Sequence, residues 1–175
     1  MEDINIPEHC SALDPVTGLY SRQQFFNSAE LLACGELPYA ILVLNLDYFK
    51  QINDTAGYDA GDLVLLVVAD VLRASLREGD IAAHVGKDEF VVGLWQATEG
   101  YALSVAQRIR RTLAEQAISF FDRTVRCTVS IGVAQSRPDL NAGLASAAKR
   151  ASTALSRAKQ SGGNRVLLAD AWAVA

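Results

Sequence analysis

At 175 residues and 50% hydrophobic content, the chain is long enough for one packed domain. Its net charge of −4, a pI near 5.1 and the lack of a Lys or Arg run clustered on a predicted face argue against nonspecific nucleic-acid binding. Three widely spaced cysteines, Cys10, Cys34 and Cys127, suggest neither a disulfide framework nor a zinc pattern. No apolar run approaches the roughly 20 residues of a membrane span, and the acidic N-terminus lacks a signal-peptide charge pattern. The chain, whole or cut from a longer one, therefore reads as soluble and cytoplasmic.

Strand and helix patterns alternate along it with short connections. Ser21 to Ala33 reads as a helix with Ser21 as cap, stopped by Gly35 and Pro38. Tyr39 to Leu46 is a continuous apolar run, the pattern of a strand buried on both faces. Asp62 to Leu76 has helical spacing and is ended by Gly79. Ile81–Val85 and Phe90–Leu94 flank Gly86-Lys87-Asp88-Glu89 and predict a hairpin, with Gly86 supplying the positive φ of a type II′ turn. That turn would carry two carboxylates at its tip, suited to a divalent cation beside a nucleotide phosphate or simply to solvent. Glu99 to Gln116 is a helix, Val125 to Ala134 a strand, and Gly143 to Gln160 an Ala-rich helix closed by Gly162-Gly163. Asn164 to Leu168 adds an edge strand. The order predicts one α+β domain with helices on a mixed, largely antiparallel sheet, and no internal repeat.

Five segments resemble the GGDEF domain, the diguanylate cyclase module of bacterial cyclic-di-GMP signalling. They are Asp14 to Leu19, Asp47 to Asp54, Gly57 to Asp62, the Gly86 to Phe90 hairpin, and Ala158 to Arg165. The resemblance implies a nucleotidyl-cyclase-like fold over residues 14–168, with a lead-in at 1–13 and a tail at 169–175. Family members condense two GTP molecules into cyclic di-GMP across a head-to-head homodimer, with Mg²⁺ held by acids from the buried strand and from the third hairpin position. By that resemblance Asp88 and Glu89 are the catalytic acids, Asp88 being the metal ligand. Phe49, Lys50, Asn53, Asp62 and Lys159 match substrate-binding positions, Asn53 and Asp62 facing guanine. A cap at the start of a helix is the plain alternative for Asp62.

Three departures make the chain look degenerate, at Asn45, at Lys87 and near the C-terminus. Asn45 stands where the family's strand Asp would be, and a neutral amide weakens or abolishes Mg²⁺ binding. Asp47 lies on the same strand face but about 7 Å along, too far to substitute without a shift. Lys87 replaces the second glycine of the hairpin, and Gly163 replaces a phosphate-binding arginine, a loss that Arg165 is near enough in sequence to offset. Ser152 and Ser156 replace the usual Asp and Tyr of the last helix.

The inhibitory product site looks better kept. Arg77 and Asp80 form RxxD at the family's offset, and Arg108 matches a further arginine of that site, suited to the phosphates and guanines of cyclic di-GMP. A helix-end Arg paired with a turn Asp is the alternative. The expectation is therefore a domain that does not cyclise GTP, with Asp88 and Glu89 vestigial, and that binds cyclic di-GMP through Arg77, Asp80 and Arg108. An active diguanylate cyclase, or a GTP-binding regulator of a fused EAL domain, are the other readings. Fused sensory domains are expected partners of such a module.

Overall fold

The computed structural model describes residues 12–33, 37–136 and 143–169. Cys10, Cys34, the breaker Gly35, nearly all of the expected lead-in and all but the first residue of the tail lie outside them. The elements in order are β1 (Tyr20–Ser21), α1 (Arg22–Ala33), β2 (Tyr39–Asp47), α2 (Phe49–Ala56), α3 (Tyr58–Ser75), β3 (Ile81–His84) and β4 (Glu89–Trp95). Then follow α4 (Glu99–Glu115), β5 (Ile118–Phe120), β6 (Arg123–Val125), β7 (Thr128–Gln135), α5 (Leu144–Gln160) and β8 (Val166–Leu168).

Six strands form one sheet in the order β1-β3-β4-β2-β7-β8, while β5 and β6 pair as a separate hairpin. The central pairings, β3 with β4, β4 with β2 and β2 with β7, are antiparallel, and the outer pairings are parallel. This is the mixed, largely antiparallel sheet that the element order predicts. Strand β2 is apolar throughout because it is covered on both sides. Ala40, Leu42, Leu44 and Leu46 meet α3 and α4 residues such as Val68, Leu72 and Ile109, whereas Ile41 and Val43 meet Phe25, Ala151 and Leu155 from α1 and α5.

Several boundaries differ from expectation. α3 begins at Tyr58, not Asp62, because Gly57 at φ +91° breaks the chain after α2 and the helix restarts at once. α2 is an element the sequence reading does not contain, although Phe49, Ile52 and Ala56 stand at helical spacing. The expected strand from Val125 is divided: Val125 pairs with Ile118 in the small hairpin, and β7 starts at Thr128.

The Gly86 hairpin is not a two-residue type II′ turn. The Val85 amide donates to the Glu89 carbonyl at 2.9 Å, which leaves a three-residue loop of Gly86, Lys87 and Asp88. Gly86 is absent from the positive-φ glycines among the described residues. Asp88 alone is therefore at the tip, and Glu89 is the first residue of β4.

Helix α5 lies almost on the backbone of β7. A methyl group at Gly132 would stand 2.0 Å from the Ala151 carbonyl oxygen and 2.4 Å from the Leu155 nitrogen. The alanines at 147, 151, 154 and 158, all buried, make the helix side of the same close approach. The loop before β1 is held differently. The Asp14 carboxylate accepts from the Thr17 amide at 2.8 Å and hydroxyl at 2.7 Å, and lies 3.2 Å from His84 Nδ1 on β3. Burial pushes the Asp14 carboxyl up, but these bonds outweigh it and hold the group below its ordinary value of 3.8.

The packing and the Asp14 loop each have a measurable consequence. Gly132→Val is expected to cost at least about 3 kcal/mol of unfolding free energy, read from denaturant titration, because backbone atoms block the new side chain. For Asp14, folding favours the ionised form, so its contribution is complete above the unfolded pKa and is lost as pH falls below it. Asp14→Ala should cost about 1–2 kcal/mol near neutral pH, and its melting temperature should approach the wild-type value as pH drops below about 4.

Candidate functional site

The C-terminal end of β2, the hairpin tip and the last turn of α5 converge at one end of the sheet. Pairing of β2 with β4 sets Asn45 opposite Glu89, and the Leu46 amide donates to the Asp88 carbonyl at 3.0 Å, which ties the hairpin tip to the strand. Asn45 and Asp47 fall on the face that α5 covers, since Ile41 and Val43 of the same alternation pack there.

Asp47 is 4% exposed at its side chain and is fully engaged. Its carboxylate accepts from the Thr128 hydroxyl at 2.8 Å, the Ser130 hydroxyl at 2.7 Å and the Asn164 amide at 2.8 Å. Lys159, from α5, donates to Asn45 Oδ1 and to the Leu46 carbonyl at 3.0 Å, and its ammonium stands 3.7 Å from Asp47 Oδ1. Gly163 packs against the same carboxylate with its φ at +72°, and a methyl group added there would stand 3.1 Å from Asp47. A branched or charged residue at this position would meet both strain and the buried acid.

Beyond this end, Asn53 on α2 and Asp62 on α3 lie on either side of the Gly57 corner. Asn53 is tucked so closely against α3 that a methyl at Gly61 would stand 1.9 Å from Asn53 Oδ1. That oxygen is buried and has no hydrogen-bond partner. Asp62 is exposed one turn inside α3, so capping does not account for it. Phe49 does not offer its side chain to a ligand: it packs in the core with Leu46 and Ile52, leaving only its backbone for that role, whereas Lys50 is exposed. Tyr48, exposed and left-handed at φ 55°, forms the corner between β2 and α2 and carries no signal in the sequence pattern.

Arg77 and Asp80 lie just after α3, in a turn that Gly79 makes with φ +91°. Asp80 is buried, its side chain 1% exposed, and accepts from the Arg77 amide at 3.3 Å and the Trp95 amide at 3.2 Å. Arg77 is 47% exposed and 3.6 Å from the Asp80 carboxylate. Its guanidinium bonds the Trp95 and Gln96 carbonyls and lies over the Tyr101 ring, 4.6 Å from the centroid. A cavity of about 360 Å³ opens beside it, lined also by Arg73, Glu78 and Tyr20. Arg108 reaches the same helix end and donates to the Ser75 carbonyl at 2.6 Å. Trp95, Gln96 and Tyr101, which hold Arg77, are not legible as site residues in the sequence because they come from β4 and from the loop and helix that follow it.

The family model for "Diguanylate cyclase, GGDEF domain" matches residues 11–165. The chain belongs to the GGDEF family. This GGDEF domain is 41% identical over 129 residues to Diguanylate cyclase A of Treponema denticola, covering 74% of this chain and 34% of that protein. It is 39% identical over 166 residues to diguanylate cyclase DgcM of Escherichia coli K12, covering 93% and 39%. The chain thus spans between a third and two fifths of the length of these curated relatives. Among solved structures it resembles the GGDEF domain of DgcB from Caulobacter crescentus in complex with c-di-GMP, with a TM-score of 0.86 at 27% identity over 91% of this chain and 96% of that one. It also resembles diguanylate cyclase SiaD of Pseudomonas aeruginosa, solved with its activator SiaC, with a TM-score of 0.80 at 31% identity over 91% and 62%.

The residues at the strand end of this GGDEF domain do not fit a divalent cation. Asn45 is neutral and its oxygen already receives the Lys159 ammonium, while Asp47 is closed in by three donors. Asp88 and Glu89 remain there as half-buried acids, and among the described residues no three His, Cys, Asp or Glu side chains gather at one point. Nearby Cys127 is a buried thiol pushed up to about 11 by its burial and by Asp47, and so stays protonated and unreactive at neutral pH. No helix of the described residues is long and apolar enough to cross a membrane.

The Asp47 network is expected to be structural. Asp47→Ala should cost about 2–4 kcal/mol in a denaturant titration, since it strands the buried Ser130 hydroxyl, the part-buried Thr128 hydroxyl and the Asn164 amide and removes the counter-charge of Lys159.

Proposed function

We propose that this GGDEF domain acts in cyclic-di-GMP signalling as a receptor and does not make the dinucleotide. The observation that carries this reading is the contrast between its two ends. At one, a half-exposed Arg77 is held rigid over an open cavity. At the other, the strand position that would supply a carboxylate is Asn45, bonded to an ammonium.

Arg77 suits the ligand on chemical grounds. A guanidinium can pair with a phosphate or with the acceptor edge of guanine in a two-point fashion, and its flat face stacks on bases. Here its position is set before any ligand arrives, by the Trp95 and Gln96 carbonyls and the Tyr101 ring, so less rotamer entropy is lost on binding. Asp80, buried and bonded to backbone amides, holds the turn that presents Arg77. Arg108 adds positive charge at the same helix end, and Arg73 lines the adjoining cavity. The resemblance to the DgcB domain solved with c-di-GMP supports the choice of ligand.

A second reading rests on a separate observation. The buried, unpartnered Asn53 oxygen and the exposed Asp62 carboxylate are both acceptors and match the N–H donors of a guanine edge, which favours a GTP-binding regulatory module in a longer protein.

Calorimetry with cyclic di-GMP tests the receptor reading. The wild type should bind it, and Arg77→Ala should weaken binding by at least about tenfold, with Arg77→Lys failing to restore it because an ammonium cannot make the two-point contact. Unchanged affinity in the alanine variant would sink the proposal. Incubation with GTP and either Mg²⁺ or Mn²⁺ should yield no cyclic di-GMP, and product accumulating in proportion to protein would restore the cyclase reading.

A further inference from the structure

The Lys159 ammonium lies among oxygen atoms at the end of β2. A lysine has three N–H donors and a full charge. Two of those donors go to Asn45 Oδ1 and the Leu46 carbonyl, both hard oxygen donors of the kind that bind Mg²⁺. The buried Asp47 carboxylate, 3.7 Å away, balances the charge without taking the third donor. The side chain keeps 36% of its surface exposed. One donor therefore remains for an anion arriving from solvent.

Entry of a divalent ion is opposed on three counts. It would have to displace the ammonium from both oxygens, it would gain two neutral ligands in place of a carboxylate, and it would stand beside the displaced charge. The replacement is covalently tethered and leaves nothing to dissociate. It also coincides with Gly163, which in this backbone conformation packs on Asp47, so that Lys159 is the cation fixed at the strand end.

We infer that Lys159 is the resident cation of this site and that the domain binds a nucleoside triphosphate there without a divalent metal. The base would meet Asn53 and Asp62, and the phosphates would meet the Lys159 ammonium. This rests on the second reading above, in which those two residues face guanine. It goes beyond that reading by assigning to a side chain the place beside the phosphates that a metal otherwise takes. Binding without turnover follows, since an ammonium held by two carbonyls neutralises phosphate but activates no hydroxyl.

The test is a titration of the purified chain with GTP, once in excess EDTA and once in excess magnesium, with ATP as the comparison for base selectivity. The dissociation constants for GTP in the two buffers should agree within about threefold, and Lys159→Met should raise both by at least about tenfold. Binding seen only with magnesium would overturn the metal-free inference and leave the GTP reading standing. No binding in either buffer would overturn both, and an unchanged constant in Lys159→Met would remove the lysine from the role. A measurement on the unmodified chain is independent of how the variant folds. Manganese added without nucleotide should keep the spin-resonance spectrum of the free aqueous ion, and capture of one ion per chain would overturn the inference.

Discussion

The site depends on how closely α5 can approach β7. A helix normally rests on a sheet through two layers of side chains, but here Gly132 removes one layer and the alanines at 147, 151, 154 and 158 thin the other. The helix axis is thereby drawn down onto the strand backbone, and its last turn ends level with the carboxyl end of β2. That level decides which atoms Lys159 can reach. Were α5 raised by a single methyl group, the ammonium would lift away from Asn45 and Leu46, and the turn at 161–164 would carry the Asn164 amide away from Asp47.

The electrostatic design at this end follows from the same approach. A carboxylate as buried as Asp47 requires donors, and it takes them from a strand and a turn: Thr128 and Ser130 from β7, and Asn164 from the segment after α5. This makes it a structural acid that locks β8 and the end of α5 to the sheet. It also supplies the counter-charge that lets Lys159 sit beside a neutral Asn45. In a GGDEF domain with a carboxylate at the Asn45 position, the same pocket would hold one more negative charge and would be suited to a divalent ion. The loss of one charge at one residue changes what the pocket can balance.

Much of this is legible in the chain. The apolar run of β2, the helical spacing of α3, α4 and α5, and the motifs around Asp47, Gly57, Gly86 and Lys159 are sufficient for the α+β class and the family. Other features are not. The hairpin turn escapes a local reading because Gly-polar-polar is compatible with several loop lengths, and it is the strand register, His84 opposite Phe90, that selects three residues. The helix α2 is hidden by its polar composition. Asp62 is open to reading as a cap until Gly57 places the helix start four residues earlier. In the sequence Asp80 looks like a ligand contact equal to Arg77, but only the fold brings the Trp95 amide onto it and buries it.

The sequence by itself determined the family and the α+β class with helices on a mixed sheet, because these rest on periodicity, glycine positions and residue type, which are local properties of the chain. Only the tertiary structure decided what meets Asn45 at the end of β2. Lys159 is 114 residues from Asn45, and no spacing rule joins them. They meet because strand pairing sets the height of Asn45 and the Gly132 contact sets the height of α5. An ammonium then finds two carbonyl oxygens and a buried carboxylate within its reach.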